Sequence, residues 1–162
     1  MTQYQIIIGR NEELEFVDVA KNIPAKIDTG AYRSSVHCQS IDVVKKNGKD
    51  VLVVTLFGHP CAPETQEVTF KKFERVSVTN SFGKKERRYA VMMRVKLGSK
   101  IFTTPFTLAD RSNTLMPVLI GRTFLQGRFM VDVAKSHLGQ KRLDLRTRFG
   151  NRLGVKEEDY EK

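Results

Sequence analysis

The sequence predicts an all-β barrel or sandwich with one short helix near its C-terminal end. Three observations carry that expectation. Short apolar runs recur along the chain, separated by Gly, Pro and Asn turn signals. The pair Asn47-Gly48 stands between two such runs, the strongest short hairpin signal a sequence offers. One stretch, residues 121–127, departs from the pattern and reads as a single helical turn closed by Gly127.

The elements follow in order. Residues 4–8 form a short apolar run ended by Gly9, and residues 15–19 alternate. Asn22 and Pro24 then break the chain before a short strand at 25–28. Residues 35–44 alternate loosely, turn at 46–49 and return as the valine-rich run 51–57. Gly58, Pro60 and Pro63 predict a loop. Residues 65–78 and 89–97 flank a second hairpin with Asn80-Ser81-Phe82-Gly83 at its tip, and Gly98-Ser99 turns into 101–108. Residues 118–120 are strand-like, the helical turn follows, and 128–133 resume as strand. The reading is one domain over residues 1–145 and a charged C-terminal tail over 146–162.

Composition bounds the function. The chain has 162 residues, 40% hydrophobic and 28% charged, which suits a globular core and argues against disorder. Its apolar runs are too short to span a bilayer as a helix, and the first residues lack the pattern of a signal peptide. Two cysteines exclude a disulfide scaffold. The expectation is a cytoplasmic protein with no membrane partner. Twenty-eight Lys and Arg against eighteen acids give a net charge of +10, which suits an anionic partner. The basic residues cluster at Lys84-Lys85 with Arg87-Arg88, and again at Lys141-Arg142 through Arg152, without the aromatic spacing of a stacking platform for RNA.

The sharpest local feature is Ala25-Lys26-Ile27-Asp28-Thr29-Gly30-Ala31, an acid at the end of an apolar strand with no charge beside it to pair with. Alone, Asp-Thr-Gly is an ordinary turn in which Asp accepts local backbone hydrogen bonds. It is joined here by Val118-Leu119-Ile120-Gly121-Arg122 and the short helix after it. In that order, with hairpins between, the two segments resemble the retropepsin-like aspartic proteases. Residues 26–31, Arg33-Ser34-Ser35-Val36-His37, residues 106–112, and 117–122 with Gly127-Arg128-Phe129 are similar to the RimK-associated protease family, whose name invokes ATP and zinc.

The resemblance implies a closed acid-protease barrel and a peptidase, with Asp28, Thr29 and Gly30 as catalytic residues. The chain has one Asp-Thr-Gly, so a dyad of two carboxylates sharing a proton implies a homodimer with Asp28 from each subunit. Ala31, Arg33, Arg111 and Arg122 are the candidate substrate-binding residues. Arginine's planar fork suits a carboxylate, so the substrate class is an acidic or glutamate-rich peptide, with an ATP-grasp ligase as a possible partner. Gly121 is structural. Viral members of the fold brace the arginine after the second glycine with an acid where this chain has Tyr32, so Asp110 is the candidate partner of Arg122. A flap over the cleft is expected, at 58–66 or at 80–85, with the first favoured by position. Arg33, a cation near Asp28, would oppose proton sharing.

Other classes stay open. His37, Cys38, His59, Cys61 and His137 are the available soft ligands, but no His-Glu-x-x-His or Cys-x-x-Cys occurs, so no cofactor is expected and zinc is the exception to examine. No phosphate-cradling glycine loop is present for ATP. Two alternatives to the peptidase remain: a non-catalytic binding module for acidic peptide or RNA, and a zinc-dependent hydrolase.

Overall fold

The computed structural model describes residues 6–80 and 82–136. The tail 146–162, the cluster from Lys141 to Arg152 and His137 lie outside them. Among the described residues, eleven strands and one short helix follow in the order β1 (Ile6–Gly9), β2 (Asn11–Phe16), β3 (Ala20–Ile27), β4 (Ser35–Lys46), β5 (Lys49–His59), β6 (Ala62–Phe70), β7 (Glu74–Thr79), β8 (Lys85–Leu97), β9 (Lys100–Ala109), β10 (Val118–Ile120), α1 (Arg122–Leu125) and β11 (Phe129–Asp132). Among the described residues no helix is long and apolar enough to cross a membrane.

The main sheet runs β10-β3-β2-β8-β9-β4, and β10 also pairs with β4, which closes six strands into a barrel. Closure leaves those strands no free edges, the usual solution for a small all-β domain. The three-residue β10 fits between β3, in parallel with Val118 opposite Ala25, and β4, antiparallel with Val118 opposite Val36. β5 and β6 extend from β4 as a long hairpin, while β7 pairs with the first half of β8. β1 and β11 form a separate two-stranded parallel sheet with Ile7 opposite Met130.

Alternation builds the core. On β8, Val91, Met93, Val95 and Leu97 point inward while Met92, Arg94 and Lys96 face out. Phe16 meets Phe57 at 5.5 Å and Phe106 at 5.4 Å between ring centroids, and all three rings are fully buried. Under the helix, Phe102, Phe124 and Phe129 pack mutually at 5.4 Å. Each such side chain contributes roughly 1.5–3 kcal/mol by burial.

Several boundaries depart from the sequence reading. Asn22 and Pro24 do not break the chain but lie within β3. Proline fits because β10 covers only Ala25 to Ile27, so the sheet asks for no N–H at position 24 on that side. The loop expected at Gly58, Pro60 and Pro63 is only a tight turn at 60 and 61, since Gly58 lies in β5 and Pro63 in β6, with His59 opposite Ala62. The run 65–78 is two strands, separated at Lys71–Phe73. The turn in which Gly83 N donates to Asn80 O, the short helix and the glycine ending it, Gly127 at φ +75°, stand where the sequence placed them.

Candidate active site

Asp28 follows the last residue of β3, and its position is fixed from both sides. Its N–H donates to Ile120 O at 2.8 Å, which ties the acid to β10. Its Oδ1 accepts from Gly30 N at 2.9 Å and Ala31 N at 3.1 Å, so the loop's own amides orient the carboxylate. These are the bonds of an ordinary Asx turn; what differs is the second loop packed against them. Arg122 N donates to Ala31 O at 2.8 Å and Thr123 N to Tyr32 O at 3.1 Å. Gly121 N donates to the buried Ser34 hydroxyl at 3.1 Å. The start of α1 is thereby stitched to residues 31–34, and the two separated motifs form one unit.

A cleft of about 590 Å³ opens in front of Asp28. Gly30, Ala31 and Arg33 line one side and Arg111 with Thr114 another, while residues 77–80 and Arg88 line the cleft from β7 and β8. The hairpin at the cleft is therefore β7–β8, not the 58–66 segment that position favoured. Of that segment, Cys61–Gln66 borders a different pocket, shared with Val19–Ile23. Phe82 at the β7–β8 tip is 90% exposed.

The charged groups are arranged differently from the sequence expectation in two respects. Asp28 has a cation beside it: Lys26 Nζ lies 3.8 Å from Oδ2. Strand alternation puts 26 and 28 on the same side, a signal the sequence carried. Asp110 does not brace Arg122. It accepts from Ser112 N at 2.9 Å and lies 3.8 Å from His37 Nδ1. Arg122 instead donates Nη1–H to Gly30 O at 3.0 Å, with its guanidinium 5.9 Å from the Tyr32 ring. The residue that replaces the viral acid thus contributes a ring face in place of a carboxylate. Arg33 also lies over Tyr32, at 5.6 Å.

Arg111 is the best-anchored cation of the cleft. Its Nε donates to Met116 O at 3.2 Å and Nη1 to Ser35 Oγ at 3.3 Å. Burial first, then Arg88, lowers its pKa to about 10, with Asp28 opposing, so it stays charged at neutral pH. Arg88, missed in the sequence as a cleft residue, also pairs with Glu86.

Behind Arg111 lie two buried histidines. His37 Nδ1 accepts from Arg111 N at 2.8 Å. His59 Nε2 meets Thr114 O at 2.8 Å, and its Nδ1 accepts from Cys61 N at 3.1 Å. Phe57 at φ +66° and Gly58 at φ +76° are left-handed at the register shift between β5 and β6 that precedes His59. A bulky residue in that left-handed region costs roughly 1–3 kcal/mol and persists only where its surroundings hold it.

The donor set does not suit zinc. Both His59 nitrogens and Nδ1 of His37 are engaged with backbone, and burial pushes the Cys38 thiol up to about 11, away from the thiolate a metal needs. Cys61 Sγ donates to Leu115 O at 3.3 Å. Among the described residues no group of three or more His, Cys, Asp or Glu is placed to hold a metal ion.

Burial lowers the pKa of both histidines. For His37 the His59 ring and Arg111 add to this and Asp110 opposes; for His59 the bonds to Thr114 and Arg111 backbone oppose, and Arg111 adds. The folded chain therefore binds fewer protons on these rings than the unfolded chain. Their contribution is fully present above the ordinary histidine value of about 6.5 and is lost as pH falls toward the lowered folded values. Thermal melts are expected to move down as pH falls from about 7 to about 5.5, with a shallower slope in His59→Gln. A slope unchanged in that variant would remove His59 from the account.

Paired loops crossing in a closed six-strand barrel, with an Asp-Thr-Gly acid at the cleft, define a retropepsin-like domain. The RimB-like family, described as retropepsin-like aspartic endopeptidase RimB, matches residues 7–142, and the chain belongs to that family. Curated relatives named probable alpha-L-glutamate ligase are also similar. The protein from Shewanella pealeana is 28% identical over 146 residues, covering 87% of this chain and 31% of the relative. That from Desulfotalea psychrophila is 26% identical over 163 residues, covering 92% and 35%. The chain thus spans about a third of the length of these relatives. A crystal structure of a Legionella pneumophila protein of unknown function (DUF785) superposes with a TM-score of 0.68 at 27% identity, covering 84% of this chain and 99% of that one.

Proposed function

We propose that the chain is an aspartic peptidase that acts as a homodimer on acidic, glutamate-rich peptides. The observation that carries the reading is Asp28, held by the Gly30 and Ala31 amides in a cleft lined by Arg33, Arg88 and Arg111. Two copies brought together at Asp28 would share one proton, because neighbouring like charges cannot both ionise cheaply. One carboxylate takes a proton from water as its oxygen attacks the peptide carbonyl. The other protonates the amide nitrogen as the C–N bond breaks, leaving a carboxyl and an amine.

The exposed side of the small parallel sheet supports a second copy as partner. Ile7 and Met130 are neighbours there, 56% and 54% exposed, with Val133 beyond at 69%. A charge at that position is costly only if the face is covered. Met130→Lys is therefore expected to give a folded monomer by sedimentation and to lose cleavage. Full activity in a monomer would overturn the dimer.

The cationic cleft and the relatives named glutamate ligase support the acidic substrate, and an ATP-grasp ligase as the partner that makes it. Arg111→Lys removes the planar fork while keeping charge. It is expected to raise KM for a glutamate-rich peptide about tenfold and leave KM for a neutral peptide within about twofold. Equal effects on both peptides would remove Arg111 from substrate recognition. The competing reading, a binding module without chemistry, draws support from Lys26 beside Asp28. Peptide binding without turnover at any pH would decide for it, a steep salt dependence of binding would point to nucleic acid, and loss of cleavage with a chelator would point to zinc.

A further inference from the structure

The loop between β9 and β10 carries Arg111 into the cleft, yet most of what holds this loop lies behind it. Two of its polar groups are fixed by two rings from other strands. Arg111 N–H donates to His37 of β4, and Thr114 O is met by His59 of β5. The Thr114 hydroxyl lies 2.8 Å from Arg111 O and 2.9 Å from Met116 O, closing the loop on itself. The two imidazoles meet edge to face at 5.6 Å and are 3% and 1% exposed.

The bonds dictate the protonation state. His37 Nδ1 must present a lone pair to Arg111 N–H, and His59 Nδ1 a lone pair to Cys61 N–H, so Nε2 of His59 carries the proton donated to Thr114 O. A proton added at either Nδ1 sets two N–H groups against each other. For His37 a new acceptor stands ready, since Asp110 Oδ1 is 3.8 Å away. Each state thus has its own partner: Arg111 N–H for the neutral ring, the Asp110 carboxylate for the charged one. The other charged or titratable groups facing the pair are Arg111 and the Cys38 and Cys61 thiols, with Arg88 and Asp28 beyond the guanidinium.

We propose that His37 and His59 are positioning residues for Arg111: as neutral rings they hold the 110–116 loop so that the arginine fork faces the cleft, and protonation releases it, so that acidification weakens capture of a peptide carboxylate. The link to a peptide rests on the functional reading above; the coupling of the rings to Arg111 does not. Aspartate chemistry tolerates acid, so this device would set the acid limit of substrate capture separately from that of bond cleavage.

The test has two arms on the full chain. In the first, nitrogen-15 spectra follow the His37 and His59 rings and the Arg111 Nε–H signal, assigned by its loss in Arg111→Lys, from about pH 8 to about 5. The Arg111 signal is expected to move with the ring titration. In the second, kcat and KM are measured for a glutamate-rich and a neutral peptide across the same range. KM for the acidic peptide is expected to rise about tenfold on acidification while kcat for the two peptides changes in parallel. His37→Asn keeps an acceptor that cannot be protonated and is expected to hold KM low at neutral pH and to flatten its rise on acidification, leaving only the part that follows His59, whereas His37→Leu raises KM at every pH. An Arg111 signal that ignores the rings, or a wild-type KM profile retained in His37→Asn, overturns the proposal. A chain that neither cuts nor binds either peptide sinks the peptidase reading instead, and the Arg111 signal still decides this one.

Discussion

Asp28→Asn is expected to leave the fold standing and to lower peptide cleavage about 10²–10⁴-fold. The amide keeps an oxygen where Oδ1 now accepts from Gly30 N and Ala31 N, so the loop retains the bonds that shape it. The ion pair with Lys26 is lost, but at 3.8 Å with Lys26 58% exposed it is of the kind that adds little stability. What disappears is the proton exchange: neither amide of the dimer can take a proton from water or give one to the leaving nitrogen. The measurement is turnover alongside a melting curve. A melt near that of the wild type with cleavage abolished assigns Asp28 to chemistry. Cleavage persisting within about threefold would remove the dyad. Mixing adds a second check, because random exchange with an equal amount of Asp28→Asn leaves roughly a quarter of dimers with two aspartates. Activity should fall below the half expected of independent subunits.

Much of this architecture was legible because it is local. Alternation, the Asn47-Gly48 turn and the glycine ending the helix are each decided within a few residues, and the Asp-Thr-Gly and Ile-Gly-Arg segments carried the family resemblance. What the sequence hid is set by distant contacts. Pro24 reads as a breaker until β10 is seen to begin beside Ala25. The hairpin over the cleft could not be chosen between two turn-rich segments, since the choice depends on how β7 folds back along β8. Asp110 and Arg122 look like complementary charges, yet each finds a nearer partner, His37 and Ser112 for the first, Gly30 O for the second. His59 was visible as a soft ligand, but its inward turn depends on the backbone at Phe57, a φ no residue type at that position announces. Lys26 was the legible exception, two residues before Asp28 near the end of β3.

Gly121→Ala tests whether the crossing of the two loops holds the acid in place. Glycine here is not required by conformation, for its φ of −98° and ψ of −178° are open to any residue. It is required by space. An added Cβ would stand 2.6 Å from Arg33 O and 2.9 Å from Ala31 O, both backbone atoms. Those atoms cannot swing aside as a side chain would, because Arg122 N holds Ala31 O at 2.8 Å and Ser34 Oγ holds Gly121 N at 3.1 Å. Relief must come from moving residues 31–33, the same turn whose amides orient Asp28. The expected cost is about 1–3 kcal/mol of stability, read as a melting temperature lower by several degrees, with a loss of cleavage larger than that fall explains. Gly127→Ala is the control. Its φ of +75° makes alanine strained there, but nothing lies within 4 Å of the added Cβ, so the variant should cost about 1 kcal/mol and keep its turnover. Equal losses of activity in the two would mean that general destabilisation, and not the displaced turn, disables the site. A Gly121 variant that melts lower and loses turnover beside a Gly127 variant that merely melts lower ties the chemistry to the place where the two loops cross.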